Sequence, residues 1–574
     1  MTAKRSSAWI AILLAGLLGL VLTCAFCGLI YWAVPQVRSV LLPLGREPVT
    51  LQVAYSPEKG ELFRALVAAF NEGRATTSDG QPVRVEVQEL TPERMIKVAA
   101  EGEFHAISPD SSIWLDVLDR VWVEEQGVEV GLVGETVRYA VSPVVLAMWE
   151  DVAQQMGYPE RAIGWEDLLA KAESDPNFRW SHGSTSSASG LLTTLAEFYA
   201  GVGKTRGLTE EDAQADSTLE YVGALEKTVR YYGEGEWTVV QQALSEGSAY
   251  LDAFVCQEQL VVYFNQRGST EPSSRAQAEG LAEVCPHKLV AIYPREGTLW
   301  EDHPLALLEL PDLSPEVRQA FGLFRDFLLS EESQHQMLAA GYRPADLSIP
   351  LDSPSSPLTL ANGVDSAQPQ TTLQIPSPSV IEVVRDVWWY TKRHTNVYLV
   401  VDTSGSMQGK KLANVRVALT TFVDSIEGDQ ERVGLIDFSH QIKQLILLDK
   451  LGTNREELES AIAGLGAQGD TALLDAIGTA YVRLQAGGDT ERINAIVAMT
   501  DGLENASHID LNELVERIRA GNQQGLPVVI FCIAYGSDAD FNTLQVIADA
   551  SGGQVRSGDV ATIEELYRIL STYF

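Results

Sequence analysis

The chain has 574 residues and a net charge of −36, from 42 Lys and Arg against 78 Asp and Glu. One hydrophobic core rarely serves so long a chain, so about three domains are expected. The acidity excludes nucleic acid as an expected partner, because binding there requires Lys and Arg to neutralise phosphates. The apolar content of 45% is that of folded globular protein and excludes general disorder.

The first predicted element is an uncharged segment, residues 8–34, which is long enough to span a bilayer with some tilt. Lys4 and Arg5 precede it, and the positive-inside rule places residues 1–7 in the cytoplasm and the bulk of the chain outside. A cleaved signal peptide usually has a shorter apolar region of about 7–15 residues. A lipoprotein signal would use Cys24, but the residues before it match poorly. The pattern therefore favours an uncleaved single-pass anchor in the cell membrane. The sequence does not decide whether the segment is cleaved or lipidated.

Residues 48–345 alternate short apolar runs typical of strands with patterns of helical spacing. The runs predict strands at 49–56, 83–90, 139–149, 252–265 and 288–294. Helical spacing appears at 61–72 and 164–173. Such alternation over this length predicts an α/β architecture with parallel sheets, arranged in two lobes.

This region resembles the bacterial extracellular solute-binding proteins, which have the periplasmic-binding-protein fold of type II. The resemblance rests on the opening strand and loop ending in Tyr55-Ser56, the strand at 139–149, the serine-rich stretch 181–190 and the segment Tyr293–Thr298. It implies a domain that senses or holds a small ligand. The candidate ligand residues are Ser56, Ser108, Ser184, Thr185, Ser189 and Gly190.

The serine-rich stretch 181–190 leads into an apolar helical pattern. A helix N-terminus offers free backbone N–H groups and the positive end of the helix dipole, which suit an anion or a polar solute. Ordinary capping of the helix by serine explains the same composition. Both interpretations stay open.

The five cysteines divide by location. Cys24 and Cys27 lie in the uncharged segment, and Cys532 lies in an apolar run that predicts a buried thiol. Cys256 and Cys285 remain and would form a disulfide in an oxidising compartment if their backbones approach, which spacing alone does not show.

The histidines of the middle region show no metal-ligand spacing. His182, His287 and His303 are scattered, and each is predicted to be a surface or satisfied side chain rather than a base. No nucleophile–base pair or pair of catalytic carboxylates is visible either. We therefore expect that the protein is not an enzyme.

A linker rich in Pro, Ser and Gln, residues 346–394, separates this region from the last domain. Its composition predicts a semi-extended connector, part of which packs back on the lobes. Residues 379–390 have the spacing of a short amphipathic helix.

The last domain, residues 395–574, begins with a continuous apolar run that ends at Asp402, as expected for a strand buried on both faces. Further buried runs at 432–439, 493–502 and 527–536 alternate with helical patterns and predict a doubly wound, Rossmann-like sheet. Ligands in such sheets bind beyond the carboxyl ends of the strands. Asp402 and Asp501 both fall at such ends.

This domain resembles the von Willebrand factor A (VWA) family, and three of its loops match the family's metal-ion-dependent adhesion site. The matching residues are Asp402, Ser404, Ser406, Thr471 and Asp501. The resemblance implies that the two serines bind a metal directly, that the other three bind directly or through water, and that a partner's carboxylate completes the coordination. Carboxylate and hydroxyl oxygens suit a hard ion, so Mg²⁺ is expected, with Mn²⁺ and Ca²⁺ as alternatives. Turn formation and helix capping by the serines is the simpler alternative.

Together these features predict a membrane-anchored, extracytoplasmic binding protein. The VWA domain would capture a protein with an exposed Asp or Glu, and the other domain would hold a small solute. The alternative is a receptor that delivers solute to an ABC-type importer, with the VWA domain as a docking module.

Overall fold

The computed structural model describes residues 47–233, 235–268, 288–426, 429–559 and 562–571. The predicted anchor, residues 8–34, lies outside them. Within these ranges no helix is both long and apolar enough to cross a bilayer. The chain divides into two compact units, the first made of the described residues up to 140 together with 303–337 and 344–347, and the second of the remainder.

Strands and helices alternate between residues 47 and 344, as predicted. In chain order they are β1 (Val49–Tyr55), α1 (Gly60–Glu72), β2 (Val83–Glu89), α2 (Pro92–Ala100), β3 (Ala106–Ser108), α3 (Ile113–Gln126), β4 (Val133–Arg138), β5 (Ala140–Trp149), α4 (Glu150–Gln155), α5 (Trp165–Ser174), β6 (Trp180–Gly183), α6 (Ala188–Val202), α7 (Glu210–Gln214), α8 (Asp216–Glu226), β7 (Val229–Gly233), α9 (Glu236–Glu246), β8 (Ala253–Gln257), α10 (Glu258–Gly268), β9 (Leu289–Ile292), β10 (Trp300–Glu301), β11 (Pro304–Leu308), α11 (Pro315–Leu328), α12 (Glu331–Ala339) and β12 (Arg343–Pro344).

The first unit is built on a five-stranded sheet in the order β2-β1-β3-β11-β4. Strand β1 runs parallel to β2 and β3, whereas β11 runs antiparallel to β3 and β4. The pairing of β1 with β3 sets Tyr55 opposite Ser108, so the loops after these two strands leave the sheet at the same edge.

The second unit contains a sheet with strand order β10-β5-β8-β6-β7, and β9 also pairs with β5. Strand β6 is parallel to β7 and β8, but β5 is antiparallel to β8, β9 and β10. Both sheets are therefore mixed, and the prediction of parallel sheets was wrong for part of each. An apolar run reports burial on both faces and carries no information about strand direction.

The predicted strand at 252–265 was also wrong over most of its length. Only Ala253–Gln257 is a strand, and the chain continues directly as helix α10. Leu260, Val261 and Phe264 are buried at helical spacing. Short apolar runs fit either period, so the change from strand to helix inside this run left no signal in the sequence.

The linker packs back on the second unit. Tyr199 donates a hydrogen bond from its hydroxyl to the carbonyl of Gln374 at 2.6 Å, and Thr372 forms a β-bridge with Thr298. The predicted amphipathic helix is present as α13 (Pro378–Thr391), which buries Val380, Val384 and Trp388 among other residues.

The elements of the last part of the second unit are β13 (Thr395–Asp402), α14 (Lys410–Ser425), β14 (Arg432–Phe438), β15 (Ile442–Lys450), α15 (Leu451–Gly464), α16 (Leu473–Gly487), β16 (Ile493–Thr500), α17 (Leu511–Gln524), β17 (Val528–Tyr535), α18 (Phe541–Ser551), β18 (Val555–Gly558) and α19 (Ile563–Ser571). The strands form a six-stranded sheet in the order β15-β14-β13-β16-β17-β18, parallel except for the edge strand β15. This is the predicted doubly wound arrangement.

Candidate metal centre

The two central strands of the last sheet bring the predicted carboxylates together. Strands β13 and β16 are parallel neighbours, with Val401 opposite Met499. Every residue of both strands is buried, which explains their uninterrupted apolar sequences. Asp402 ends the first strand and Asp501 follows the second, so both acids lie at the carboxyl edge of the sheet.

The loop after β13 folds its two serines toward each other. The backbone N–H of Ser404 donates to Oδ1 of Asp402 at 2.7 Å, and the N–H of Gly405 donates to the carbonyl of Gly469 at 2.9 Å. These bonds hold the hydroxyl oxygens of Ser404 and Ser406 at 2.9 Å from each other.

Ser406 and Thr471 connect this loop to the loops after α15 and β16. The Ser406 hydroxyl donates to Oδ1 of Asp501 at 2.6 Å. A Cβ added to Gly502 would lie 3.4 Å from Oγ1 of Thr471 and 3.6 Å from Oγ of Ser406. The two hydroxyls therefore flank the same glycine, and all five predicted residues, Asp402 included, meet at one edge of the sheet.

Thr471 is held by its own loop contacts. Its backbone N–H donates to Oδ1 of Asn505 at 2.9 Å, and its carbonyl accepts from the N–H groups of Asn505 and Ala506, each at 3.1 Å. The loop after β16 therefore positions both Asp501 and Thr471.

The carboxylates are buried, but the centre opens to solvent on one side. Asp402 is 0% exposed and Asp501 is 1% exposed, whereas Ser406 is an exposed residue. Burial raises the pKa of Asp402, and the nearby charge of Asp501 adds to this, against the lowering by hydrogen bonds from Thr500 and Ser404. The Thr500 hydroxyl donates to Oδ2 of Asp402 at 2.5 Å.

Sequence reasoning missed two residues of this centre. The Lys411 ammonium lies 2.5 Å from Oδ2 of Asp501, and Thr500 orients Asp402 from the end of β16. Thr500 had a usable signal, because it directly precedes Asp501 at the end of a buried strand. Lys411 had none, since it is one of two adjacent lysines and the sequence does not show which of them points to the acid.

The donors fit a hard divalent cation. Two buried carboxylates and three hydroxyls supply only oxygen atoms, as Mg²⁺, Mn²⁺ and Ca²⁺ prefer. Ser404 and Ser406 would hold such an ion directly, and Thr471 would hold it directly or through water. None of these hydroxyls adds charge of its own.

In the first unit, Ser56 and Ser108 lie side by side, and both are fully buried. Ser56 donates from its hydroxyl to Oε1 of Glu58 at 2.7 Å, and the Ser108 hydroxyl lies 2.8 Å from that of Tyr139. The buried Lys59 ammonium donates to the carbonyl of Pro109 at 2.7 Å. Both predicted ligand hydroxyls are therefore part of a buried polar network within this unit.

In the second unit, the serine-rich loop caps helix α6. The N-cap is Ser187, whose hydroxyl accepts a hydrogen bond from the N–H of Gly190 at 3.1 Å. Ser184, Thr185 and Ser189 are buried around this helix start. Capping accounts for the composition of the loop, and anion binding by the same residues stays a prediction.

Two of the predicted surface or satisfied histidines are deeply buried. His182 is 1% exposed and His303 is 0% exposed. Burial, together with the charge of Lys59, holds the pKa of His303 well below its usual range. His287 lies outside the described residues, and so does Cys285, whereas Cys256 is a buried free thiol.

Comparison with known proteins identifies both modules. The family model described as bacterial extracellular solute-binding protein matches residues 51–343, just over half of the chain. The model for the von Willebrand factor type A domain matches residues 396–568. The chain belongs to the family of bacterial extracellular solute-binding proteins, and a VWA domain follows the solute-binding domain.

Relatives among curated proteins match less than a third of the chain. The pig inter-alpha-trypsin inhibitor heavy chain H4 is 28% identical over 185 residues, which are 30% of this chain and 20% of the pig protein. An uncharacterized protein of Synechocystis is 29% identical over 160 residues, 28% of this chain and 36% of its own length. The matched region is thus a minor part of either relative.

Several solved structures are similar to parts of the chain. The periplasmic binding protein AfuA from Actinobacillus pleuropneumoniae, with fructose-6-phosphate bound, is 13% identical with a TM-score of 0.40, covering 60% of this chain and 98% of AfuA. The sulfate-binding protein SubI from Mycobacterium tuberculosis is 17% identical with a TM-score of 0.34, covering 52% and 88%. A von Willebrand factor type A protein from Catenulispora acidiphila is 21% identical with a TM-score of 0.28, covering 32% and 43%.

Proposed function

We propose that the VWA domain binds a divalent cation, Mg²⁺ first and Mn²⁺ or Ca²⁺ as alternatives, at Asp402, Ser404, Ser406, Thr471 and Asp501. The observation that carries the proposal is the meeting of two buried carboxylates and three hydroxyls at one strand edge. Three loops separated in sequence contribute these groups. Capping and turn formation account for single serines but not for this convergence.

The bound cation would in turn bind a carboxylate from a partner protein. Three of the five ligands are neutral hydroxyls, so the ion keeps much of its positive charge and attracts an acidic group. The exposed Ser406 marks the open side of the centre, where an Asp or Glu side chain has access. An unidentified protein with an exposed acidic residue is therefore the proposed partner.

The solute-binding domain would hold a small solute, and we place both domains outside the cytoplasm, anchored by residues 8–34. Membership of the extracellular solute-binding family supports the location and the class of ligand. A polar, oxygen-rich or anionic solute suits the start of helix α6, where hydroxyls and backbone N–H groups collect.

Binding of the full chain to immobilised polyglutamate tests the VWA proposal. The net charge of −36 repels such a polymer, so nonspecific attraction does not produce a signal. We expect binding in Mg²⁺ that EDTA reverses, that polyglutamine does not reproduce, and that Thr471→Ala abolishes. The matched control Thr490→Ala alters an exposed threonine and should leave binding intact. Equal binding in EDTA, or by Thr471→Ala, would refute the proposal.

A further inference from the structure

Three ligating side chains meet in the interior of the second unit, far in sequence from the VWA loops. His182 lies on β6, Glu197 on α6 and Glu226 at the end of α8. One ligating atom from each lies within 4.8 Å of those from the other two. All three side chains are essentially inaccessible to solvent, with exposures of 1%, 0% and 0%.

The orientation of His182 is that of a metal ligand. Its Nδ1 lies 2.7 Å from the carbonyl oxygen of Gly183, so Nδ1 carries the hydrogen of that bond. Its Nε2 lies 3.3 Å from Oε2 of Glu226. In the neutral imidazole with its hydrogen on Nδ1, Nε2 presents a lone pair to a carboxylate, and this contact is favourable only when a proton or a metal ion lies between the two atoms. Metal-ligating histidines commonly donate their other N–H to a backbone carbonyl in this way.

Glu226 is held as a carboxylate by two donors. The Tyr232 hydroxyl donates to Oε2 at 2.6 Å, and Trp388 Nε1 donates to Oε1 at 2.5 Å. Such donors fix the direction of a ligating carboxylate and stabilise its charge.

Glu197 lacks any such support. Neither of its carboxylate oxygens has a hydrogen-bond partner within the described part of the chain, and the side chain is fully buried. A buried carboxyl without partners is costly, and a second carboxylate beside it adds repulsion. One of its oxygens nevertheless lies within 4.8 Å of a ligating atom of His182 and of one of Glu226.

We propose that His182, Glu197 and Glu226 bind a divalent transition-metal ion, with Zn²⁺ as the first expectation. One imidazole and two carboxylates suit zinc, and the +2 charge cancels the two carboxylates. The ion accounts at once for the lone pair on Nε2 and for the unpaired oxygens of Glu197.

The role of this ion is structural. The cluster is closed to solvent, and Glu226 also receives the hydrogen bond from Trp388 of α13, the helix that leads into the VWA domain. Zinc would therefore stabilise the core of the second lobe. Through Glu226 it would also fix the position of this helix. An ion in such a place is captured during folding and exchanges slowly, unlike one at the open edge of the VWA sheet.

The test is the metal content of the full chain carrying Ser406→Ala, which removes an exposed ligand of the VWA centre. After production in zinc-supplemented medium and dialysis against EDTA, mass spectrometry should find about one transition-metal ion per chain. Adding Glu197→Gln should remove it, whereas Glu220→Gln, an exposed glutamate on α8, should not. Folded protein without transition metal, or metal that Glu197→Gln retains, would overturn the proposal.

The unfolding midpoint of Glu197→Gln gives a second test, because a zinc site and a metal-free cluster predict different changes in it. If zinc is bound, Glu197→Gln loses the ion and lowers the unfolding midpoint. If the cluster is held by protons alone, the same change removes a buried ionisable group and leaves the midpoint unchanged or raises it. An unchanged or raised midpoint contradicts the zinc site. Should Glu197→Gln fail to fold, the metal content of the Ser406→Ala chain still decides the question.

Discussion

The Lys411 ammonium and the Asp501 carboxylate form an ion pair at the carboxyl edge of the VWA sheet, with 2.5 Å between Nζ and Oδ2. The lysine side chain is 30% exposed, whereas the aspartate side chain is fully buried. Because Asp501 is a proposed metal ligand, this ammonium competes with the cation for the same carboxylate.

Lys411→Met should therefore raise the affinity of the VWA domain for Mg²⁺. Removing a repulsion of about 1 kcal/mol between the ammonium and the cation predicts a gain of roughly fivefold. Calorimetric titration with MgCl₂ measures it. Lys410→Met is the matched control, because Lys410 is exposed beside it, and it should bind as wild type does. An affinity that falls in Lys411→Met would show that the lysine supports the metal site.

Asp110 predicts a pH dependence of the solute-binding domain. Burial, together with the charge of Glu58, raises the pKa of Asp110 from its ordinary 3.8 to about 8. Between these values the folded protein binds a proton that the unfolded chain does not. The stabilisation that comes from this proton on Asp110 is therefore present at acidic pH and is lost as the pH rises from about 4 to about 8.

Asp110→Asn should remove this loss, since an amide does not ionise. Urea unfolding at pH 5 and pH 8 should show a smaller difference in free energy for the variant than for wild type. Glu125→Gln, at an exposed glutamate of the same unit, should retain the wild-type difference. Identical pH profiles for wild type and Asp110→Asn would contradict the assignment.

Gly190 is required by a close backbone approach at the start of helix α6. An added Cβ would lie 2.1 Å from the carbonyl oxygen of Ser184 and 2.3 Å from that of Gly183. Gly190→Ala should therefore destabilise the second unit by about 2–3 kcal/mol, as overpacking does. Chemical denaturation measures this cost. Gly464→Ala, at a helical glycine with open space around it, should be neutral, and equal costs for the two variants would contradict the argument.

Trp388 should contribute more to stability than its packing alone suggests. Its Nε1 donates to the buried Glu226 carboxylate, so Trp388→Phe leaves that oxygen without a donor. Hydrogen bonds to charged groups contribute about 1.5–3 kcal/mol, and a loss of this size is expected in denaturant unfolding. Tyr390→Phe, at the 79% exposed Tyr390 of the same helix, should cost almost nothing. A cost for Trp388→Phe no larger than that control would contradict a stabilising bond.

The two carboxylates of the VWA centre could be predicted from the sequence, because the signals for their positions are local. Asp402 ends a strand whose apolar run reports burial on both faces, and parallel strands bring their carboxyl ends to one edge. Ser404, Ser406 and Thr471 were predicted from the resemblance to the VWA family, because spacing alone does not bring their loops to this edge.

Other features depend on contacts that spacing does not encode. His182, Glu197 and Glu226 come from a strand and two helices, and nothing in the sequence shows that these elements face one another. The antiparallel direction of β5 relative to β8, and the point where β8 continues as α10, could not be predicted for a similar reason. Apolar runs indicate burial, but they do not indicate the direction of a strand or the residue at which a strand changes into a helix.

Calorimetric titration of Mg²⁺ into the full chain is the most direct test of the metal centre. Wild type should bind about one ion at the VWA edge, and Asp402→Ala and Ser406→Ala should each weaken binding at least about tenfold, because each removes an oxygen ligand. Ser537→Ala, at an exposed serine in the loop after β17, should bind as wild type does. Unchanged Mg²⁺ affinity in both Asp402→Ala and Ser406→Ala would contradict the assignment of the site.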